Sequence, residues 1–281
     1  MKLSLENPWS MSMRYLQVIT GFCLTLMLSI NPVMAESNNT LRLATTTSIK
    51  SSGLLDHILS EFKKKFSYPV ETTVVGSGKA LRLARTGGVD LVWVNSPDSE
   101  QKFIEDGYGI ERNIVIKNDF VIAGPTDDPA NIASSPDVFS ALKKIIDQQA
   151  LFISRADDSG TNQKEIDLWE QVNFDPVGED WYLEKGSSMA ASLKIAEEKK
   201  AYIMIDRATF IVRHKNSNKI LTEDPANLST PYSVIMVNPE KHADTNIKAA
   251  GEFINWLRSE EGILCIESFQ HDNQQLYTAV K

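Results

Sequence analysis

The sequence predicts an α/β protein of two lobes, on three observations. Short apolar, β-branched runs alternate with amphipathic helical stretches from Leu41 onward. The alternation restarts after a loop rich in Asp and Pro, Thr126 to Asn131. The length of 281 residues, with 42% hydrophobic and 23% charged side chains, is globular and large enough for two compact lobes.

The first strand is read as Leu41 to Ala44, running through Thr45-Thr46-Thr47-Ser48 into a helix with Leu54, Leu55, Ile58, Leu59 and Phe62 on one face. Val70 to Val75 is the second strand, followed by Gly76-Ser77-Gly78 and a helix through Leu81 and Leu83. Val89 to Val94 reads as a third, buried strand, with Asn95-Ser96-Pro97 leading to a helix from Ser99 to Glu105. Phe120 to Ala123 is the fourth, stopped by Gly124-Pro125.

Beyond the Asp/Pro loop comes a helix, Val138 to Ile146, and then Leu151 to Ser154, a strand entering Arg155 and a helix start at Ser159-Gly160-Thr161. Trp181 to Leu183 leads likewise through Gly186-Ser187-Ser188 into a helix from Met189 to Glu197. Tyr202 to Ile205 is a strand, Asp206 to Val212 a short helix, and Tyr232 to Val237 a strand ended by Asn238-Pro239. A helix from Ile247 to Leu257 and the stretch Ser259 to Phe269 complete the pattern. This division expects lobe 1 from residues 36–125 and 232–281, lobe 2 from 126–231, and crossovers near Gly124 to Thr126 and Thr230 to Tyr232.

The N-terminus reads as a secretory signal over residues 1–35. Arg14 precedes an apolar run from Val18 to Ile30, Asn31-Pro32 ends it, and Val33-Met34-Ala35 offers a small-residue cleavage pattern with Ala35 last. The run is shorter than the roughly 20 residues of a spanning helix. Met11 or Met13 are plausible alternative starts. Phe22 before Cys23 breaks the lipoprotein pattern, so Cys23 leaves with the signal and Cys265 remains alone, unable to form an internal disulfide. The expected location is the periplasm.

The formal net charge is −8, and it becomes −9 once the two cations Lys2 and Arg14 and the one anion Glu6 have left. A nucleic-acid partner is excluded on that balance, because phosphate-backbone binding needs a basic surface. A small anion is not excluded, since its donors need only be concentrated in one cleft.

Four βα junctions share one chemistry: Thr46-Thr47-Ser48, Ser77-Gly78, Ser159-Gly160-Thr161 and Ser187-Ser188 set hydroxyls and small residues at helix starts. The first N–H groups of a helix lack internal partners and carry the positive end of its dipole; Ser and Thr add donors beside them. Taken singly, each junction is a capped helix. Arg155 adds a permanent charge whose planar fork matches two oxygens of an oxyanion. Asp157 and Asp158 read as orienting groups, holding Arg155 or capping the helix from Ser159.

The runs Ala44 to Ser48, Val75 to Leu81, Asn118 to Ile122 and Ser154 to Thr161 resemble those of tungstate-binding proteins of ABC importers. So do Trp181 to Glu184, Asp206 to Thr209, Pro231-Tyr232, Val237 to Pro239 and Trp256-Leu257, in order along nearly the whole mature chain. The resemblance implies a two-lobe, type II-like periplasmic-binding-protein fold that closes on a tetrahedral oxyanion and docks to an ABC permease and ATPase complex. It implies a monomer without cofactor or free metal cation, the ligand being tungstate, with molybdate second. Carried over by motif, the ligand-binding residues are Arg155, Ser159, Gly160 and Thr161, with Thr46, Thr47, Ser48, Ser77 and Ser188.

Tungstate and molybdate are fully ionised and need only donors, whereas phosphate keeps a proton and needs an acceptor. The runs around Thr47, Ser77 and Ser188 contribute no Asp or Glu. Two departures stand out: Asn95 where the family has a His or similar residue, and the stretch Tyr202 to Asp206, with aliphatic residues at its centre, where the family has hydroxyl residues in the strand. An enzyme finds little support. Gly76 to Ala80 lacks a nucleotide loop's spacing, and His57, His214, His242 and His271 show no metal or nucleophile pattern. A binding protein feeding a sensor would share the same cleft. Trp93, Trp169, Trp181 and Trp256 read as packing residues.

Overall fold

Strand pairing divides the chain between two sheets that share one strand. The computed structural model describes residues 40–214 and 217–280. The signal segment, Ala35, Arg14, Cys23, Met11 and Met13 lie outside the described residues.

In the first sheet, β1 (Leu41–Thr46) pairs in parallel with β2 (Val70–Val75) on one side and β3 (Leu91–Val94) on the other. Antiparallel β9 (Ser229–Val237) follows β3, and the first part of β4 (Gly109–Pro125) follows β9. The second sheet repeats the scheme: β5 (Phe152–Ser154) lies in parallel between β6 (Tyr182–Glu184) and β7 (Tyr202–Asp206), and the last part of β4 pairs antiparallel with β7. Each sheet thus takes a strand that arrives from the other lobe.

Helices follow most of the parallel strands: α1 (Thr47–Ser52) and α2 (Leu54–Lys65) after β1, α3 (Ser77–Arg85) after β2 and α4 (Pro97–Glu105) after β3. In the second lobe α5 (Val138–Gln148) precedes β5, and α6 (Gly160–Gln171), α7 (Met189–Lys199) and α8 (Arg207–Arg213) follow β5, β6 and β7. Helices α9 (Ile247–Leu257) and α10 (Glu260–Glu267) return to the first lobe, where Phe253 and Trp256 pack edge-on against Phe62. Side-chain caps fix most starts on the functional side: Thr46, Ser159, Ser188 and Asp206 each accept from the N–H three residues on.

Both faces of each sheet are covered. Leu43, Trp93, Val234 and Phe253 belong to one cluster of the first lobe, and Ala80, Val92, Phe103 and Ile235 to the other. In the second lobe Phe152, Trp169, Trp181 and Tyr202 lie on one face, and Ile153, Leu193, Ile203 and Ile205 on the opposite one. The departure Tyr202 to Asp206 is explained by this: a strand buried on both faces carries packing residues such as Ile203, Met204 and Ile205. Trp93, Trp169, Trp181 and Trp256 are all buried, and Cys265 is a free, buried thiol.

The fourth strand starts at Gly109, eleven residues before the Phe120 expected, and changes sheets between Asp119, opposite Ser229, and Phe120, opposite Asp206. The crossing expected at Gly124 to Thr126 therefore moves upstream, and Phe120 to Ala123 lies in the second lobe. Likewise the return at Thr230 to Tyr232 moves to Leu228 and Ser229, Phe120 N–H donating to the Leu228 carbonyl at 2.8 Å. The missed half carries Glu111, Arg112 and Lys117, and register shifts between Ile110 and Asn113 and between Ile114 and Ile116 break its alternation. The short edge strand β8 (Asn218–Thr222) and the two-residue strands Gln270–His271, Gln274–Gln275 and Thr278–Ala279 were also not expected.

Candidate functional site

The carboxyl ends of β1, β2, β5 and β6 face one another across the lobes, which brings their junctions to the Arg155 side chain. That side chain is 2% exposed and anchored on three elements. Its Nη2 donates to Thr47 Oγ1 at 3.1 Å in the first lobe and to Asp157 Oδ2 at 2.5 Å in the second. Its Nε donates to the Ser187 carbonyl at 3.3 Å. Nη1 is left over. A guanidinium fixed at Nε and Nη2 holds its remaining edge in one direction, the geometry needed to receive an oxyanion.

The backbone around Arg155 is equally constrained. Ala156 and Asp158 take positive φ, 45° and 57°, turning the chain sharply into α6. Asp157 Oδ1 accepts from Ser159 N–H at 3.2 Å, so one carboxylate holds both the arginine and the helix entry. Ser159 Oγ accepts from Asn162 N–H at 3.2 Å. The N–H groups of Gly160 and Thr161 make no capping bond, and Thr161 Oγ1 is buried without a partner. A charged fork, two free N–H groups and an orphaned hydroxyl form a donor-rich pocket.

The starts of α3 and α6 meet across the cleft. Gly78 N–H donates to the Asp158 carbonyl at 3.1 Å, and a Cβ on Gly160 would overlap the Asn95 carbonyl oxygen. Further out, Asp158 pairs with Arg82, while Gln163 donates to Asp158 Oδ1 at 2.8 Å and accepts from Ser96 and from Ser99, the latter at 3.1 Å. These bonds join the two lobes.

The structure brings Arg155, Thr47, Asp157, Ser159, Gly160, Thr161 and Ser77 together, and gives other expected residues different work. Asp158 does not touch Arg155; its turn points it outward to Arg82 and Gln163. Ser188 is exposed and caps α7 through Ala191 N–H at 3.4 Å, whereas its neighbour Ser187 supplies the carbonyl that holds Arg155. Thr46 caps Ile49 at 3.3 Å. Asn95, the departure noted above, is tied up on both sides: Oδ1 accepts from Ser77 Oγ at 2.9 Å and Nδ2 donates to Thr230 Oγ1 at 3.4 Å. It joins the Ser77 junction to the hinge. A cavity of about 230 Å³ opens beside it, lined by Phe120, Gly160, Gln163 and Thr230 and not by Arg155.

Two buried acids near Arg155 escaped the sequence reading. Glu165 accepts from Tyr182 OH at 2.6 Å, Ser154 Oγ at 3.1 Å and Trp169 Nε1 at 3.3 Å, behind the Arg155 strand. Burial pushes its carboxyl up to about 7, against those three bonds and the Arg155 charge. Asp206 is wholly buried at the start of α8, and desolvation holds it above the usual carboxylate range, opposed first by the Thr209 N–H it accepts from and then by the nearby Thr209 and Ser48 hydroxyls and the Arg155 charge. No sequence signal marks Glu165, one turn beyond Gly160 on a helix whose other acids are exposed. Asp206 enters the sequence reading only as the first residue of a short helix, and in the structure it caps that helix.

Glu165 carries a stability prediction. Its proton is held more tightly folded than unfolded, so its cost is absent below the ordinary 4.5 and grows as pH rises towards about 7. Glu165→Gln removes that cost, so in chemical denaturation the variant should gain on the wild type by roughly 1–3 kcal/mol between pH 5 and pH 8. Parallel stability profiles would contradict this assignment.

Among the described residues no group of three His, Cys, Asp or Glu is placed to hold a metal ion. His57, His214 and His242 face the carbonyls of Cys265, Phe210 and Arg85.

Residues 33–261 match the PBP superfamily domain. The tungstate-binding protein TupA of Peptoclostridium acidaminophilum is 40% identical over 229 residues, 80% of each chain. The protein of the same name from Campylobacter jejuni is 34% identical over 82% of this chain and 87% of its own. The solved structure of the tungstate ABC transporter from Geobacter sulfurreducens superposes with a TM-score of 0.75 at 39% identity, over 82% of this chain and 98% of that one.

Proposed function

Since the chain belongs to the PBP superfamily, among its tungstate-binding proteins, we propose that it captures a tetrahedral oxyanion, tungstate first and molybdate second, for an ABC importer. It is a solute-binding protein and not an enzyme. The observation that carries the reading is Arg155: a buried guanidinium bonded to Thr47 of one lobe and to Asp157 and Ser187 of the other, beside the free donors of Gly160 and Thr161. A dianion seated there accepts from both lobes at once, and charge-assisted bonds in a desolvated cleft are the strong ones. Closure on the anion gives a permease one shape to recognise.

The residues assigned to the anion are Arg155, Thr47, Ser48, Ser77, Ser159, Gly160 and Thr161, with Asp157 as the group that orients the arginine. Residues 1–35 serve as the export signal, cleaved after Ala35, and the mature protein works in the periplasm with an inner-membrane permease and ATPase. Transport separates this reading from a sensor role: the clefts are the same, and binding to a permease distinguishes them.

Competitive calorimetric titration of the mature protein with tungstate, molybdate, sulfate and phosphate tests the ligand. Tungstate and molybdate should compete for one site, with phosphate weaker by roughly a hundredfold, since a donor-only pocket leaves its proton unmatched. A phosphate preference would overturn the assignment.

A further inference from the structure

Beneath Thr47, the floor of the cleft holds polar atoms that the site described so far does not use. Asp206 is 0% exposed; its Oδ1 accepts from Thr209 N–H at 2.8 Å and from Asn118 Nδ2 at 3.4 Å, while its Oδ2 is buried with no partner. The hydroxyl of Tyr232, also 0% exposed, is a second buried atom with no partner. Both flank Ser48, itself 2% exposed and adjacent to the Thr47 that Arg155 grips. Thr209 Oγ1 is a third, and native interiors rarely leave such atoms unmatched, so three together ask for an explanation.

Ser48 supplies it through the chemistry of one hydroxyl, which has a single proton to give and lone pairs to receive. If the Asp206 carboxylate takes that proton, Ser48 turns a lone pair to the cleft, which suits an oxyanion that carries a hydrogen. If Asp206 is neutral and donates to Ser48, the Ser48 proton turns to the cleft, which suits an oxyanion that carries none. We propose that Asp206 is a specificity-determining residue, setting through Ser48 whether the cleft floor offers the oxyanion a donor or an acceptor.

The surroundings favour the neutral acid once a dianion is bound. Arg155 is the cation that Asp206 senses, and it is the group the anion engages; Tyr232 of β9 and Tyr277 near the C-terminus are the other titratable groups around it, with Asn118 of β4 and Thr209 of α8 as neutral neighbours. Desolvation already raises Asp206, and the incoming charge acts in the same direction. A fully ionised oxyanion therefore brings a solvent proton with it onto Asp206, and its affinity declines as pH rises past the free protein's Asp206 titration. The proposal rests on the oxyanion reading of the site.

The test is tungstate calorimetry in two buffers of different ionisation enthalpy, from pH 6 to 9, on the mature protein. The wild type should take up protons on binding; zero uptake across that range overturns the proposal. Asp206→Asn keeps the acceptor for Thr209 N–H and puts a permanent donor against Ser48. In a Glu165→Gln background, which silences the other buried acid, this variant should lose the remaining uptake and raise tungstate-over-phosphate preference at pH 8 by about tenfold. Ser48→Ala should make Asp206→Asn silent in that ratio. Proton uptake and selectivity unchanged in Asp206→Asn, or the same selectivity shift persisting in Ser48→Ala, would each refute the relay. A wild type that binds no oxyanion at all would instead refute the reading of the site, and the relay with it.

Discussion

Arg155→Ala should weaken tungstate binding by about a hundredfold or more while leaving the protein folded. Two charge-assisted bonds at about 1.5 kcal/mol each give roughly that factor, before any long-range attraction is counted. The loss should exceed this because Arg155 also carries the link between lobes through Thr47. Asp157, 18% exposed and still accepting from Ser159 N–H, keeps one partner, so its isolation should cost only about 1–3 kcal/mol of stability. Arg155→Lys should fall between the two: the charge survives, but an ammonium cannot hold Thr47, Asp157 and the Ser187 carbonyl while presenting an edge to the anion. Calorimetry beside a thermal melt separates the effects. Affinity preserved in the alanine variant would remove Arg155 from the site.

Gly160→Ala is the second large effect, acting without touching any charge. The added methyl would overlap the Asn95 carbonyl oxygen, a backbone atom pinned by the Asn95 bonds to Ser77 and Thr230. The lobes must then stand apart, and a site built from both loses its shape. Tungstate affinity should fall at least about tenfold, since the bonds from one lobe are lost or lengthened. At the first position of α6 alanine's helix preference gains little, so the variant should keep its fold in a thermal melt without gaining stability. Falling affinity in a variant that still folds is the signature. Gly78→Ala is the control: the atoms nearest its methyl are those of the Asp158 carboxylate, a side-chain end that can give way at the cost of its bonds to Arg82 and Gln163, so the loss should be smaller. Equal effects at Gly78 and Gly160 would contradict the closure argument, as would ligand-induced compaction in scattering that is unaffected in Gly160→Ala.

The parts of the fold legible in the sequence were those where one periodicity rules a segment. Val70–Val75 and Ile247–Leu257 fall where hydrophobic spacing puts them, and each helix behind a Ser or Asp cap starts at that cap. What was hidden depends on partners distant in sequence. The Gly109 half of β4 is stabilised by β9, and its bulges erase the alternation that would announce it. The site followed the same division. Arg155 and Thr47 are visible as residue types at a junction, but whether a hydroxyl faces the cleft or caps its own helix is decided by rotamers. So Ser187 replaces Ser188 at the arginine, and Asp158 becomes a tie to Arg82. Glu165 and Asp206 were invisible because burial, not type, makes them unusual.

The position of β9 also sets an order of assembly. Everything from Phe120 to Leu228 pairs with itself, so the second lobe has its whole sheet as soon as that stretch has emerged. The first lobe cannot finish: Val94 waits for Ser233, and Asn118 waits for Thr230, before its central strand is in place. Those pairings close long loops, and their entropy is reduced only when the intervening residues are already compact. The lobe that begins last is thus completed first, and the Arg155 pocket comes into existence only once β9 has arrived to join β3 and β4.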